Sequence, residues 1–197
     1  MSNGDVSQGR RRFLIGATSV VGGVGVVGAA VPFVASWNPS AKAEAAGAPV
    51  TVNISKIEPG QQITVEWRGK PVWIIRRTEE MLANIEKLND AVKDPMSEAP
   101  QQPSYIQGPL RAIKPEFGVY VGLCTHLGCV PSYRPEVAPA DLGENWLGGV
   151  FCPCHGSRYD MAGRVYEAQP APLNLEVPPY RFDDDVTMTI GLDPEAA

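Results

Sequence analysis

Apolar and polar residues alternate along much of the stretch from residue 50 to residue 77, as in half-buried β-strands. Prolines and glycines interrupt the alternation at 59–60 and 69–71, so we expect three strands there. Short apolar runs after residue 117 indicate further strands. The strands predicted in this way cover residues 50–54, 63–67, 72–75, 119–123, 146–151, 164–166, 173–177 and 186–190. The soluble part is therefore predicted to be mainly β.

One amphipathic helix is predicted between these strands, over residues 79–92. Thr78 is a residue type that caps helix N-termini, and Asp94-Pro95 is expected to end the helix. The apolar residues recur at helical spacing and share one face: Met81, Leu82, Ile85, Leu88 and Val92. We therefore expect a single helix inserted into the β domain.

The N-terminal segment combines arginines with a long uncharged run. Arg10-Arg11-Arg12 precede residues 13–35, which carry no charge. At about 1.5 Å per residue this run reaches roughly 35 Å, enough to cross a hydrocarbon core of about 30 Å. We expect residues 1–12 in the cytoplasm, a transmembrane anchor at 13–36 and the remainder beyond the membrane. A cleaved export peptide is the alternative, since Ala41-Lys42-Ala43 resembles a cleavage site.

The segment after the predicted anchor is small, polar and rich in alanine, with prolines at 39 and 49. It lacks the apolar residues that a folded core requires, and its composition is typical of an exposed linker. We therefore predict a flexible hinge linker at residues 37–50, followed by a soluble domain at 51–197.

Composition and charge narrow the classes of function. The chain has 197 residues, of which 44% are hydrophobic and 20% charged, as expected for one modest globular domain with an appendage. Its formal net charge is −5, although the N-terminus is basic. Nucleic-acid binding requires a concentrated cationic surface, which an acidic body does not offer. We expect no nucleic-acid partner.

The candidate chemistry lies between residues 124 and 155, which contain all four cysteines and both histidines. Cysteine and histidine side chains from two loops can bind one metal centre. Two disulfides, a structural zinc site, or thiol–disulfide exchange at 152–154 are alternatives. The residues form two blocks: Cys124-Thr-His126-Leu-Gly-Cys129 and Cys152-Pro-Cys154-His155-Gly-Ser157.

The two blocks resemble the paired boxes of Rieske iron–sulfur proteins, Cys-x-His and Cys-x-x-His. In Rieske centres, two histidines replace two cysteines on one iron of a [2Fe–2S] cluster. The resemblance implies one such cluster, and it implies a disulfide between Cys129 and Cys154, as in the high-potential branch of the family. The implied ligands are Cys124 with Cys152 on one iron and His126 with His155 on the other.

The likeness extends along the whole chain. The N-terminal arginines followed by Phe-Leu resemble a twin-arginine export signal, and an anchor, a linker and a β domain with an inserted helix follow. This arrangement resembles the Rieske subunits of bacterial ubiquinol–cytochrome c reductase. It implies an antiparallel Rieske domain of stacked sheets, with the cluster-binding part at about 118–175 and its loops at the tip. Residues 169–172 match the family's proline loop over the cluster, with Gln169 where the family often has glycine.

The resemblance also implies a function. The cluster takes an electron from ubiquinol, with a proton through a histidine ligand, and passes the electron to a c-type cytochrome, which supports proton translocation. The implied partners are a cytochrome b subunit and a c-type cytochrome subunit in a dimeric complex. The implied location is the bacterial inner membrane, with the Rieske domain in the periplasm. A Rieske subunit of the plastoquinol complex or of arsenite oxidase is the alternative.

Five residues in and near the boxes acquire roles from the same resemblance. His155 is the expected quinol contact, and His126 is the other exposed imidazole. The hydroxyls of Ser157 and Tyr159 are expected to donate hydrogen bonds to sulfur, which favour the reduced cluster and raise its potential. Leu127 is expected to form part of an apolar surface that docks on the quinol pocket.

Overall fold

The computed structural model describes residues 7–194, and the chain divides into two compact units, Met1–Ala45 and Ala46–Ala197. Residues 1–6 of the predicted cytoplasmic segment lie outside the described residues, as do residues 195–197 of the predicted soluble domain. Each unit is described by itself.

The N-terminal segment forms helix α1, Gln8–Ala35, and the Ser7 side chain caps it by accepting a hydrogen bond from the Arg10 backbone N–H. An 18-residue window of α1 has a mean hydropathy of 2.0, so the helix is long and apolar enough to cross a membrane. A short helix α2, Ala41–Gly47, lies within the predicted linker.

The second unit is built from antiparallel β-strands. Its strands are β1 Val50–Asn53, β2 Gln62–Trp67, β3 Lys70–Arg76, β4 Phe117–Val121, β5 Ser132–Val137, β6 Leu147–Phe151, β7 Arg158–Asp160, β8 Tyr180–Phe182 and β9 Thr187–Ile190. They form three three-stranded sheets in the orders β1-β9-β8, β2-β3-β4 and β5-β6-β7. Every pairing of these strands is antiparallel, which confirms the mainly β prediction.

The three sheets share a hydrophobic core that extends to the candidate site. Val72 and Ile74 of β3, Val119 of β4 and Val150 of β6 are fully buried in one continuous cluster. Cys124 and Cys152 belong to the same cluster, with 3% and 1% of their surface exposed. The candidate ligands therefore stand at the edge of a close-packed interior, which restricts how far their loops can move.

The inserted helix is confirmed, but it is shorter than predicted. Helix α3 covers Glu79–Lys87, and the Thr78 hydroxyl caps it by accepting the Met81 backbone N–H at 3.2 Å. A turn of 3₁₀ helix follows at Asn89–Ala91. Val92 is extended and forms an isolated β-bridge, so a strand-like contact rather than the helix buries its side chain.

Two predicted strands are wrong, and three observed strands were not predicted. Residues 164–166 contribute only isolated bridges. Residues 173–177 form no strand, because their backbone groups bond to different segments of the domain: Leu175 N–H donates to Gly163 and Val177 N–H donates to Gln101. The strands missing from the prediction are β5, β7 and β8. They are short or half-exposed, so their apolar periodicity is weak.

A buried arginine at the end of β7 connects the helical insert to the sheet that carries the second cysteine block. Arg164 Nε lies 2.7 Å from Asp160 Oδ2, and both side chains are fully buried. The remaining guanidinium N–H groups donate to oxygens of the insert and its C-terminal extension, on Asn89, Pro95 and Ile85. One arginine thus satisfies acceptors from two parts of the chain that are distant in sequence.

Replacing this arginine by Met (Arg164→Met) is expected to lower the free energy of unfolding by about 3–5 kcal/mol, because it leaves Asp160 buried without a counter-charge. Lys70→Met is the control, since Lys70 Nζ lies 3.6 Å from Glu176 in an exposed pair. We expect that substitution to cost at most about 1 kcal/mol. Urea unfolding followed by tryptophan fluorescence measures both, and equal losses would contradict the role assigned to Arg164.

Candidate metal centre

The first cysteine block forms a tight loop directly after β4. Cys124 N–H donates to Cys129 O at 2.8 Å, and Gly128 N–H donates to Cys124 O at 2.9 Å. Gly128 has a φ of 79°, in the left-handed region that glycine adopts without steric cost. The reversal at Gly128 therefore brings both ends of the block together.

The second block forms an equivalent loop between β6 and β7. Cys152 N–H donates to Ser157 O at 2.8 Å, and Gly156 N–H donates to Cys152 O at 2.9 Å. Gly156 has a φ of 82°, so it repeats the conformation of the first loop's glycine. The two loops thus share the same backbone hydrogen bonds and the same glycine conformation.

A disulfide joins the two loops. Cys129 of the first loop is bonded to Cys154 of the second, with the two Cα atoms 6.7 Å apart. Cys124 and Cys152 remain free thiols, and both are buried. The alternative of two disulfides is therefore excluded.

Four candidate ligands gather where the loops meet, with the thiols inside and the imidazoles outside. The Cys124 and Cys152 thiols lie within hydrogen-bonding reach of one another. The His126 and His155 rings have centroids 4.7 Å apart and stand edge to face, at 85°. His126 is half-buried and His155 is exposed. Leu127 lies beside them but points to solvent, with 71% of its surface exposed.

This donor set fits a cluster with mixed sulfur and nitrogen ligation. Thiolates are soft ligands suited to iron–sulfur clusters, and imidazole suits iron as well. His126 Nδ1 is buried and has no hydrogen-bond partner among the described residues, an arrangement that is costly unless a bound group uses the nitrogen. A neighbouring group of three sulfurs, on Cys129, Cys152 and Cys154, offers a metal only one thiol, because the other two form the disulfide.

The pKa values of the two free thiols are shifted in opposite directions. Burial raises the pKa of the Cys124 thiol, but the Tyr159 hydroxyl, 3.2 Å from Sγ, and further hydrogen bonds outweigh burial and bring that pKa below its usual value. Burial dominates at Cys152 and raises its pKa. Burial also raises the pKa of Tyr159, so this hydroxyl keeps its proton and can donate it to a thiolate.

The other predicted hydroxyl, Ser157, lies beneath the proline-rich segment at 169–172. Its side chain is fully buried, and its Oγ accepts the Ala171 N–H at 3.1 Å. It is also one of the groups whose hydrogen bonds lower the pKa of Cys124. Ser157 therefore lies between the covering segment and the free thiols. Tyr159 approaches the Cys124 thiol from the side of the first loop.

Thr125 is a contact residue that the sequence did not single out. Its hydroxyl donates to Leu173 O at 2.6 Å and lies 3.1 Å from the Tyr159 hydroxyl, which also accepts the Thr125 N–H. These bonds tie the first loop to the segment after the prolines. The one available signal was its place between two predicted ligands, which does not reveal a partner 48 residues away.

The chain matches two described families. Residues 48–180 match the Rieske [2Fe-2S] domain, and residues 1–40 match the ubiquitinol-cytochrome C reductase Fe-S subunit TAT signal. A ubiquinol-cytochrome c reductase iron-sulfur subunit of Allochromatium vinosum is 56% identical, over 98% of this chain and 93% of that protein. One from Rhodospirillum rubrum is 43% identical, over 92% and 91%.

A chain in a solved structure titled "Hyperthermophilic respiratory Complex III" is 28% identical, with a TM-score of 0.48, over 90% of this chain and 98% of that one. The Rieske domain match covers the whole stretch that holds both loops, the disulfide and the buried thiols. Together with the curated relatives, it shows that the chain carries a Rieske [2Fe–2S] cluster. The chain belongs to the Rieske [2Fe-2S] domain family and, within it, to the iron–sulfur subunits of ubiquinol–cytochrome c reductase.

Proposed function

We propose that the thiols of the two loops hold one iron of the cluster and that the two imidazoles hold the other. The observation that carries this proposal is the gathering of two free thiols and two imidazoles at loops joined by a disulfide. The buried, unpartnered His126 Nδ1 supports ligation through that atom. The proposed ligands are Cys124 and Cys152 for the inner iron and His126 and His155 for the outer iron.

The outward histidines are the proposed contacts for quinol. When bound, a Rieske cluster supplies a one-electron acceptor of raised potential, because neutral imidazoles replace two thiolates. His155 is exposed, so the ring nitrogen that does not bind iron can accept a hydrogen bond and then a proton from a quinol hydroxyl. His126 is the second imidazole at this surface. The relatives' names support ubiquinol as the quinol.

The apolar tip beside the histidines fits a docking role. Leu127 and Val130 expose 71% and 56% of their surfaces next to the first loop. Large apolar residues exposed on one short stretch of chain are typical of contact sites. We propose that this tip docks on a cytochrome b subunit, which supplies most of the quinol pocket, and that the electron then passes to a c-type cytochrome subunit in a dimeric complex.

The proposed topology places the N-terminus in the cytoplasm of a bacterium and the Rieske domain in the periplasm. Helix α1 carries Arg10, Arg11 and Arg12 in its first turns and is long enough to cross the inner membrane once, and basic residues remain on the cytoplasmic side. The match of residues 1–40 to an export-signal family supports this orientation. An oxidising periplasm also suits the disulfide between the loops.

The segment 37–50 is the proposed hinge. One small domain cannot touch both a quinol donor and a cytochrome acceptor at once, so the domain must move between them. The described side chains of residues 37–45 are exposed, and helix α2 within the segment is a short run rich in alanine. A short helix of this kind is marginal in water, so it can unfold and refold as the domain moves.

Replacing residues 42–47 by prolines is expected to remove most quinol oxidation by the assembled complex, because a polyproline segment is stiff. A glycine–serine segment of the same length is the control and should retain turnover. The electron paramagnetic resonance spectrum of the reduced cluster should be the same in both. Full turnover with the proline segment would refute the hinge.

Removing the Ser157 hydroxyl (Ser157→Ala) is expected to lower the midpoint potential by tens of millivolts, up to about 100 mV, with the cluster retained. The reason is that a hydrogen bond to sulfur stabilises the more negative, reduced state. Redox titration followed by circular dichroism measures the shift. Ser55→Ala is the control, since Ser55 is exposed and its hydroxyl donates to Asn53 Oδ1, two residues away, at 2.6 Å. An unchanged potential in Ser157→Ala would show that this hydroxyl does not tune the cluster.

A further inference from the structure

The segment 169–172, Gln-Pro-Ala-Pro, is hydrogen-bonded by Lys93, a lysine just after the helical insert. Lys93 Nζ donates to Gln169 O at 2.9 Å and to Ala171 O at 2.8 Å. The lysine is half-buried, and its own backbone N–H donates to Val165 O at 3.0 Å. Both ends of the Lys93 residue are therefore fixed against the part of the fold that carries the second loop.

The charge of Lys93 is directed at carbonyl groups rather than at a carboxylate. Among residues 7–194, no aspartate or glutamate forms an ion pair with its ammonium group. Half-burial of an ammonium group is unfavourable unless its donors are satisfied, and the two carbonyls of the segment satisfy two of its three donors. The position of the segment and the position of the lysine thus depend on each other.

Ala171 connects this contact to the cluster site. Its side chain is fully buried, its C=O accepts from Lys93, and its N–H donates to Ser157 Oγ at 3.1 Å. Pro170 and Pro172 carry no N–H, so the Ala171 amide is the only backbone donor between Gln169 and Leu173. The Ala171 C=O and N–H belong to successive peptide groups on either side of one Cα, so a bond that fixes the carbonyl also restricts the direction of the N–H.

The bond from Ala171 also determines which way the serine proton points. A hydroxyl has one proton to donate, and an accepted N–H occupies one side of the oxygen. Ser157 is fully buried, its C=O accepts the Cys152 N–H at 2.8 Å, and Ala171 occupies one side of its hydroxyl, so the proton is left to point toward the loop that carries the free thiol. Loss of the accepted bond would free the hydroxyl to rotate.

We propose that Lys93 is a positioning residue for electron transfer: it holds the segment 169–172 in place and, through the backbone of Ala171, holds the Ser157 hydroxyl in the orientation that sets the cluster potential. The last step rests on the proposed tuning role of Ser157. The first step, the clamp on the segment, rests on the contacts of Lys93 alone.

The test uses the full chain in four forms: unaltered, Lys93→Met, Ser157→Ala and the double variant. In Lys93→Met, we expect the Ala171 amide to exchange with solvent about tenfold faster or more, because both hydrogen bonds from Lys93 to its segment are gone. We expect the midpoint potential to fall. In the Ser157→Ala background, Lys93→Met should then change the potential by less than half as much, since the two residues act in series.

The matched control is Lys114→Met, which removes one positive charge from an exposed pair with Asp185. It should leave Ala171 exchange unaltered and should shift the potential equally with or without Ser157. Unaltered Ala171 exchange in Lys93→Met would overturn the clamp. If Lys93→Met shifts the midpoint potential equally with and without the Ser157 hydroxyl, the lysine acts on the cluster by its charge alone, and the action through Ser157 is overturned. No shift in either background would overturn it as well.

Two further comparisons keep the outcomes separable. If Lys93→Met does not assemble the cluster, Lys93→Gln retains a shorter donor, and Ala171 exchange in the cluster-free protein decides the clamp. If Ser157→Ala alone leaves the potential unchanged, the tuning role under the proposed function fails together with the last step of this inference. Ala171 exchange then still decides whether Lys93 holds the segment.

Discussion

The disulfide between Cys129 and Cys154 is the constraint on which the rest of the site depends. The two loops leave different sheets, and the bond links residues 25 apart in sequence. Closing a loop of that length limits the unfolded chain and stabilises the fold by about 3–4 kcal/mol. It also holds together two loops, carrying two thiols and two imidazoles, that the main chain otherwise joins only through β5 and β6. A metal centre with ligands from both loops needs the loops held together, because each loop alone supplies only half of the donors.

The domain surrounds that constraint with bonds from the helical insert. Arg164, held by a buried ion pair with Asp160 at the end of β7, donates hydrogen bonds to the insert, and Lys93 reaches from the residues after the insert to the segment over the second loop. The first loop is tied to the residues after that segment by Thr125. The inserted helix and the residues that follow it therefore help to hold the cluster site in place.

Much of the fold follows from sequence, since β1 to β4 and the start of α3 obey simple periodicity and capping. The site residues were also predicted, because cysteine and histidine at fixed spacing carry their own chemistry. Residues 173–177 were mistaken for a strand because apolar and polar residues alternate in Leu-Asn-Leu-Glu-Val. Their backbone groups bond to several segments, which periodicity does not reveal. Thr125 and Lys93 escaped notice for a related reason. Their partners lie 48 and 76 or more residues away, and no local pattern encodes such contacts.

The most direct test of mixed sulfur and nitrogen ligation is pulsed electron paramagnetic resonance of the reduced full chain, made with histidine labelled by nitrogen-15. The account predicts a protein with equal iron and inorganic sulfide and two distinct histidine nitrogen couplings on one iron. The unlabelled protein should show the matching nitrogen-14 couplings. A spectrum without histidine nitrogen coupling, or a colourless protein that binds zinc in place of iron and sulfide, would contradict the ligand assignment.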